Sequence, residues 1–452
     1  MAPTATWWCP CATSRCWGAS RAPRRGSPRA SARGRRGRRA AQPPAHGRKQ
    51  GQGQSQSQGQ SQSLSRSRES DVGTGLVYIT TPPRPPAGED GLDRAFELVG
   101  ADVFARYQRS CGCEVRLAVA SSRPETPQEL AALGVDPDIV TRTGDAQHER
   151  SVKAVFLKLL RQEAVEKRAG EGYVLRVGRY RQALLEHVQA HSEFIHPAAR
   201  RDEVLALLRE ADAAEPCLTV PSGSGGLAAP NAPDCELAPW FGALTSYLSG
   251  AGYLDDPLAF DHWWPPAVQI VASDSLLVHA VAWPAMLMAL DLPLPRRLVL
   301  RGAVSGGPGW SAAGLSPDAL RLAVLTGADY LVGGEWSPSS PTWEGLVGVL
   351  MAMAGSVGWV DQGVGPAPQP LGAAERRLVR RASALAEEVG RLIEEFDFRA
   401  ALSRVAEVVA LLGAAAPGET PGPEVVAQVV RLLALSLQPF APGLAAMAGG
   451  GG

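Results

Sequence analysis

The sequence predicts an α/β fold with a mainly parallel sheet, followed by an α-helical bundle. Three observations carry that prediction. First, Val268-Gln269-Ile270-Val271 reads as a strand that leads to Asp274 and then to a helical segment from Ser275 to Leu290. That order places polar groups at the carboxyl end of a strand, as nucleotide-binding α/β sheets do. Second, Leu76 to Thr81 (LVYITT) is a buried-strand run, followed by helical spacing and then by a second strand-like run. Third, from Ala373 onward the apolar residues recur with helical period in three successive segments.

The elements follow in order. The first strand ends at Pro82, and Pro82, Pro83, Pro85 and Pro86 force an extended or irregular connection. Leu92 to Gln108 is helical, with Leu92, Phe96, Val99, Val103 and Tyr107 on its apolar positions, and Glu114 to Ala120 is a second strand. Shorter helices are expected at Val152 to Leu160, Arg181 to Val188 and Asp202 to Ala211. Residues 220–234 read as a loop from their Gly, Ser and Pro content. Trp240 to Tyr253 reads as a strand end and a helix, residues 302–314 as irregular, and Leu315 to Tyr330 as helix. Residues 333–345 and 361–372 read as connections. Leu378, Leu385, Val389, Leu392, Ile393 and Phe396 give the first bundle face, with further helices at Ala400 to Leu412 and Val425 to Leu437.

Composition adds limits. The 452 residues suffice for two or three cored domains. The zero net charge hides an asymmetry: residues 1–68 hold thirteen Arg, one Lys and no acid, which leaves 31 basic against 45 acidic groups in the rest. An Arg- and Ser-rich, acid-free leader is the composition of an organellar transit peptide, which points to a chloroplast or mitochondrion. Its GQGQSQSQGQSQS run is expected to be disordered. No run of eighteen apolar residues occurs, so no membrane-spanning segment is expected. The cysteines form no pair of CxxC motifs, and no zinc site is expected. Only four lysines exist, and none follows Lys167.

The segment Phe260 to Arg297 (FDHWWPPAVQIVASDSLLVHAVAWPAMLMALDLPLPRR) resembles one family, the class I methionyl-tRNA synthetases, in the order WWP, strand, Asp, then His four residues before Trp-Pro-Ala-Met-Leu. The likeness runs with gaps from about Val77 to Met447. VYITTP (Val77 to Pro82) and ADVFARYQR (Ala101 to Arg109) resemble the first strand and helix; Tyr173 to Leu208 and Pro239 to Asp256 are further similar stretches. The resemblance implies a Rossmann-like catalytic domain (69–335) with a connective insertion (134–213), a linker (336–372) and an anticodon-binding-like helical domain (373–452). It also implies ATP with Mg as substrate, methionine and tRNA as partners, and ligase activity in protein synthesis.

By position, the resemblance assigns Trp240, Leu244, Tyr247, His279 and Trp283 to the methionine pocket, since thioethers pack well on aromatic faces. It assigns Asp274 to the ATP ribose. Arg376, Arg377, Arg380 and Arg381 form a basic cluster that could meet tRNA phosphates. Three family features are missing. The HxGH position reads Gly91-Leu92-Asp93-Arg94, the TDEHG region reads VRLAVASS (Val115 to Ser122), and Gly302 to Pro317, where KMSKS would stand, holds no charged residue. Histidines and a mobile lysine that stabilise phosphate charge thus have no counterpart. Impaired adenylate formation is the expectation, with a non-catalytic paralogue that binds tRNA or a protein partner as the alternative. The anticodon-reading aromatics are likewise absent from Leu411 to Gly422.

Overall fold

The computed structural model describes residues 75–83, 91–122, 126–210, 215–306, 315–337, 370–413 and 421–449. The transit-peptide-like leader, Pro85, half of the interval expected for KMSKS (307–314), and most of the linker lie outside them.

In chain order the strands and helices begin with β1 (Leu76–Thr81), α1 (Gly91–Ser110), β2 (Glu114–Ser121), α2 (Thr126–Ala132), β3 (Ile139–Arg142) and α3 (Ala146–Arg161). Next come β4 (Val165–Arg168), β5 (Gly172–Leu175), α4 (Arg181–Ala190), β6 (Ile195–His196), α5 (Ala198–Arg209), β7 (Thr219–Pro221), β8 (Leu227–Ala228) and β9 (Cys235–Leu237). Then follow α6 (Pro239–Ala251), α7 (Pro257–Trp263), β10 (Ala267–Ala272), α8 (Trp283–Ala289), β11 (Arg297–Arg301), β12 (Val304–Ser305), α9 (Pro317–Gly327) and β13 (Gly334–Glu335). The helical region comprises α10 (Ala373–Glu394), α11 (Phe398–Gly413), α12 (Pro423–Leu437) and α13 (Pro442–Gly449).

The main sheet has the order β3-β2-β1-β10-β11-β6, and every neighbouring pair is parallel. β1 is the switch strand. The chain runs outward from it to β2 and β3, and later returns to its other side at β10. Parallel sheets of this kind open a crevice at the carboxyl ends of the strands flanking the switch, here the ends of β1 and β10. Residues 134–213, read as connective, supply β3 and β6 to the two edges of this sheet.

Alternation along β1 sorts the core. Val77 and Ile79 pack with α1, α9 and the C-terminal helices, while Tyr78 packs with α3, α6 and α8 on the opposite face. The helical bundle therefore shares a core with one face of the sheet, through Leu378, Leu385, Val389, Phe396 and Phe398. The approach is close at Gly100 on α1. An added Cβ there would sit 2.3 Å from the Tyr330 hydroxyl, so only glycine fits.

Three segments differ from the sequence expectation. The 220–234 loop lies within a small antiparallel sheet, β7-β9-β8, whose strands are two or three residues long. Trp240 to Tyr253 holds no strand end; α6 is helical from Pro239, which occupies its first turn, where no N–H is needed. The helix expected from Ser275 to Leu290 is not one α-helix. A 3-10 turn (Ser273–Ser275) leads to a π-turn (Val278–Ala282), in which the Trp283 amide donates to the Val278 carbonyl. Pro284 supplies the reason: it has no N–H to donate and its ring crowds the preceding turn, so the backbone widens there.

Candidate functional site

The π-turn carries His279, and the first residue of α8 is Trp283. Both face α6, where Tyr247 stands. The Tyr247 ring meets His279 at a centroid distance of 6.0 Å and Trp283 edge-on at 5.8 Å. Trp283 also meets Trp264 edge-on at 6.1 Å. Such tilted geometries suit the ring quadrupoles. Leu244 and Trp240, on the preceding turns of α6, belong to the same buried cluster, and Trp240 packs edge-on against Phe241 at 6.4 Å. All five residues assigned to the methionine pocket are buried. The structure brings Tyr247 into contact with both His279 and Trp283.

Hydrogen bonding fixes the state of His279. Its Nδ1 lies 3.2 Å from the Ser275 carbonyl, which can only accept, so Nδ1 carries the proton. Nε2 then accepts from the Tyr247 hydroxyl at 2.9 Å. Burial depresses the His279 pKa to about 4 against a slight opposing pull from the Ser275 carbonyl, so the ring is neutral near pH 7. Burial likewise raises the Tyr247 phenol far above its ordinary value. Tyr247→Phe would leave Nε2 buried without a donor, and a loss of about 1–2 kcal/mol of stability is expected. Urea unfolding measures it; an unchanged midpoint would show that the bond adds nothing to stability.

Beneath the aromatic cluster lies a polar patch that sequence reading missed. Trp283 Nε1 donates to Gln269 Oε1 at 3.0 Å on β10, and Gln269 pairs in register with Thr80 on β1. Gln269 Nε2 and the Thr80 hydroxyl are buried without a hydrogen-bond partner among the described residues. Buried polar groups are seldom left so. The signal in the sequence was a lone amide inside the apolar strand VQIV.

The carboxyl end of β11 forms the other half of the crevice. Arg301 donates to both oxygens of Asp93, at 2.7 Å each, and Asp93 also accepts from the Val304 amide at 2.9 Å. Arg301 reaches Glu97 at 3.2 Å, and Glu97 is paired in turn with Arg94. Arg94 further donates to the carbonyls of Pro82 and Ala120. Burial alone would raise the Asp93 carboxyl, but Arg301 and the Val304 amide hold it below the usual range. Burial opposes the Arg301 charge, yet Glu97 and Asp93 hold its proton more firmly than usual. The HxGH position is therefore occupied by two members of a buried ionic network, one acidic and one basic.

The remaining assigned residues are elsewhere. Asp274 is exposed on the 3-10 turn after β10 and accepts from the Ser275 hydroxyl at 3.1 Å. Arg376, Arg377, Arg380 and Arg381 lie on α10. Arg376, Arg377 and Arg380 are exposed, whereas Arg381 is half-buried between Glu388 at 2.8 Å and Glu407 at 3.1 Å. Among the described residues no group of three or more His, Cys, Asp or Glu is arranged to hold a metal ion, and no helix is long and apolar enough to cross a membrane.

The parallel sheet with its crevice at β1 and β10 and the appended helical bundle are similar in fold to solved class I synthetases. The family model for class I tRNA synthetases (M) matches residues 161–306. The methionine–tRNA ligase of Rhizobium meliloti (strain 1021) is 28% identical over 292 residues, covering 51% of this chain and 56% of that protein. The enzyme of Caldanaerobacter subterraneus subsp. tengcongensis is 26% identical over 315 residues, covering 56% and 49%. The chain spans about half the length of these curated relatives. The methionyl-tRNA synthetase of Mycobacterium tuberculosis, solved in complex with methionyl-adenylate, superposes with a TM-score of 0.70 at 22% identity, covering 83% of this chain and 93% of that one. Its apo form gives 0.68 at the same identity, covering 83% and 91%. The chain is thus similar in sequence over about half its length, and in fold, to methionyl-tRNA synthetases.

Proposed function

We propose that this chain is a methionine–tRNA ligase scaffold that binds an amino acid of the methionine class but does not activate it with ATP. The carrying observation is the Asp93–Arg301 pair. A bidentate carboxylate holds the guanidinium at the carboxyl edge of the sheet, where a triphosphate would need free positive charge. Asp93 would repel phosphate oxygens, Arg94 is committed to Glu97, and no lysine follows Lys167. The residues present do not fit ATP phosphates with Mg.

Amino-acid binding is supported by the pairing of two surfaces. Tyr247, His279 and Trp283 offer polarizable faces to a thioether, and the unpartnered atoms of Thr80 and Gln269 lie on the same face of the sheet for a polar group. Neutral His279 suits an uncharged side chain. The exposed Arg376, Arg377 and Arg380 of α10 supply a site for tRNA phosphates, whose contribution is independent of sequence. The Arg-rich leader supports delivery to a chloroplast or mitochondrion.

The test is methionine-dependent ATP–pyrophosphate exchange by the full-length chain, with methionine titrated in parallel by calorimetry. Methionine binding without exchange is expected. Exchange at the rate of an ordinary synthetase overturns the reading. Absence of both exchange and binding overturns its amino-acid half.

A further inference from the structure

The turn that joins α1 to β2 carries a cysteine on either side of a glycine, Cys111-Gly112-Cys113. We propose that this pair is a redox-active dithiol, at which a small-molecule disulfide of the glutathione class closes an intramolecular S–S bond and thereby loosens the seam between α1 and α10. Both thiols are free and half-buried, so a small reagent reaches them. The helix cap holds them close. The Cys113 amide donates to the Gln108 carbonyl at 3.1 Å and the Gly112 amide to the Arg109 carbonyl at 3.0 Å, the paired bonds that end a helix on a left-handed glycine. Gly112 has φ +84°, and no atom lies within 4 Å of where its Cβ would be, so the peptides on either side have room to adjust. Cα atoms two residues apart are separated by at most about 7 Å in an extended chain, and a turn brings them within the roughly 4.4–6.8 Å that a disulfide spans.

In the reduced state both thiols support the packing of α1 on α10. Cys113 Sγ donates to Gln108 Oε1 at 3.4 Å, and Gln108 Nε2 donates to Glu394, the last residue of α10. Cys113 also packs against the core that the sheet shares with the helical bundle. Burial and a hydrogen bond with Cys111 raise the Tyr107 phenol above its ordinary value. That phenol meets α10 so closely that a Cβ on Gly390 would sit 2.7 Å from its oxygen. Oxidation takes the Cys113 proton from Gln108 and draws the Cys111 sulfur toward Cys113, away from Tyr107. The step balances. One cysteine thiolate attacks a sulfur of oxidised glutathione, the reagent's S–S bond breaks, and one glutathione thiolate leaves. The other cysteine attacks the mixed disulfide, the protein S–S bond forms, and the second glutathione leaves. Both thiol protons end on glutathione, so the cysteine pair is oxidised as one glutathione disulfide is reduced. The pair lies at the opposite end of α1 from Asp93, and its oxidation is read without methionine or ATP.

The experiment equilibrates the full-length chain with reduced and oxidised glutathione at fixed ratios, quenches with acid, alkylates the remaining thiols and digests with trypsin. Cleavage after Arg109 and Arg116 releases residues 110–116, which contain both cysteines and no other. The expected result is a peptide without alkyl adducts and lighter by a pair of hydrogens, growing with the oxidised fraction and reversed by dithiothreitol. Cys111→Ser and Cys113→Ser are expected to carry one glutathione adduct instead. Hydrogen exchange of amides 390–397 is expected to speed up about fivefold on oxidation of the native chain, the worth of one neutral hydrogen bond, and to stay unchanged in Cys111→Ser in the same buffers. Alkyl adducts retained on both cysteines at the highest oxidised fraction overturn the proposal, as do glutathione adducts in place of the internal bond. An internal bond with unchanged exchange across 390–397 overturns the link to α10.

Discussion

Replacing Arg321 with methionine is expected to lower the unfolding free energy by roughly 3–5 kcal/mol, because it strands a buried carboxylate. Arg321 sits on α9 with its side chain fully buried, and Asp102 on α1, 2.7 Å away, is equally buried. The guanidinium also donates to the carbonyls of Phe440 (2.7 Å) and Pro439 (2.9 Å), between α12 and α13, and to those of Leu133 and Gly134 (3.3 Å each) after α2. One side chain thus ties the sheet-side helices to the end of the helical bundle. Burial lowers the Arg321 pKa, and Asp102 opposes that shift without cancelling it. Methionine keeps much of the volume and removes every donor. Asp102 would retain only its 2.6 Å pair with Arg106. Urea unfolding of the full chain measures the loss, and a change under about 1 kcal/mol would show that solvent or Arg106 already satisfies Asp102. The double variant Arg321→Met/Asp102→Leu is expected to recover part of the loss, since no charge is then left buried.

The contrast between Arg321 and the aromatic cluster shows what a sequence discloses. β1, α1, β2 and the bundle helices follow from apolar periodicity, which is local. Tyr247, His279 and Trp283 come together because α6 and the turn after β10 pack on one sheet face, and motif order was enough to group them. β11 went unread because five residues, Arg297–Arg301, are too short to show a period between flanking arginines. β7 to β9 went unread because their Gly, Ser and Pro content is that of a loop, and pairing rather than propensity makes them strands. The ionic network was invisible for a different reason. Asp93 and Arg301 are 208 residues apart, and no local pattern links them. In the sequence Asp93 stands only as a departure from HxGH; the structure adds that its carboxylate has its own cation. Arg321 left one trace, a lone charge in the apolar helix PDALRLAVLTG.

Acid is expected to destabilise the fold through His279 by roughly 3 kcal/mol, the free energy of a pKa shift from 6.5 to about 4. The sign follows from proton counting. In the unfolded chain the imidazole takes a proton as pH falls below 6.5. In the folded chain Nδ1 already donates to Ser275, Nε2 accepts from Tyr247, and burial keeps the ring neutral down to about pH 4. Between those values the unfolded state binds more protons, so stability rises with pH. The contribution is therefore complete above pH 6.5 and lost progressively as pH falls toward 4. His148, also depressed to about 4 by burial, acts in the same direction from α3. Glu97 acts oppositely, because burial raises its carboxyl and its contribution is lost as pH rises. Native-chain data alone would blend these groups. The difference between the native chain and His279→Gln isolates one of them, since glutamine keeps an acceptor for Tyr247 and cannot titrate. Unfolding free energies measured from pH 7.5 to 4.5 should diverge, with the native slope steeper by up to about 1.4 kcal/mol per pH unit. Parallel slopes would mean that His279 is protonated in the fold, and a charged imidazole beside Tyr247 and Trp283 would no longer suit an uncharged thioether.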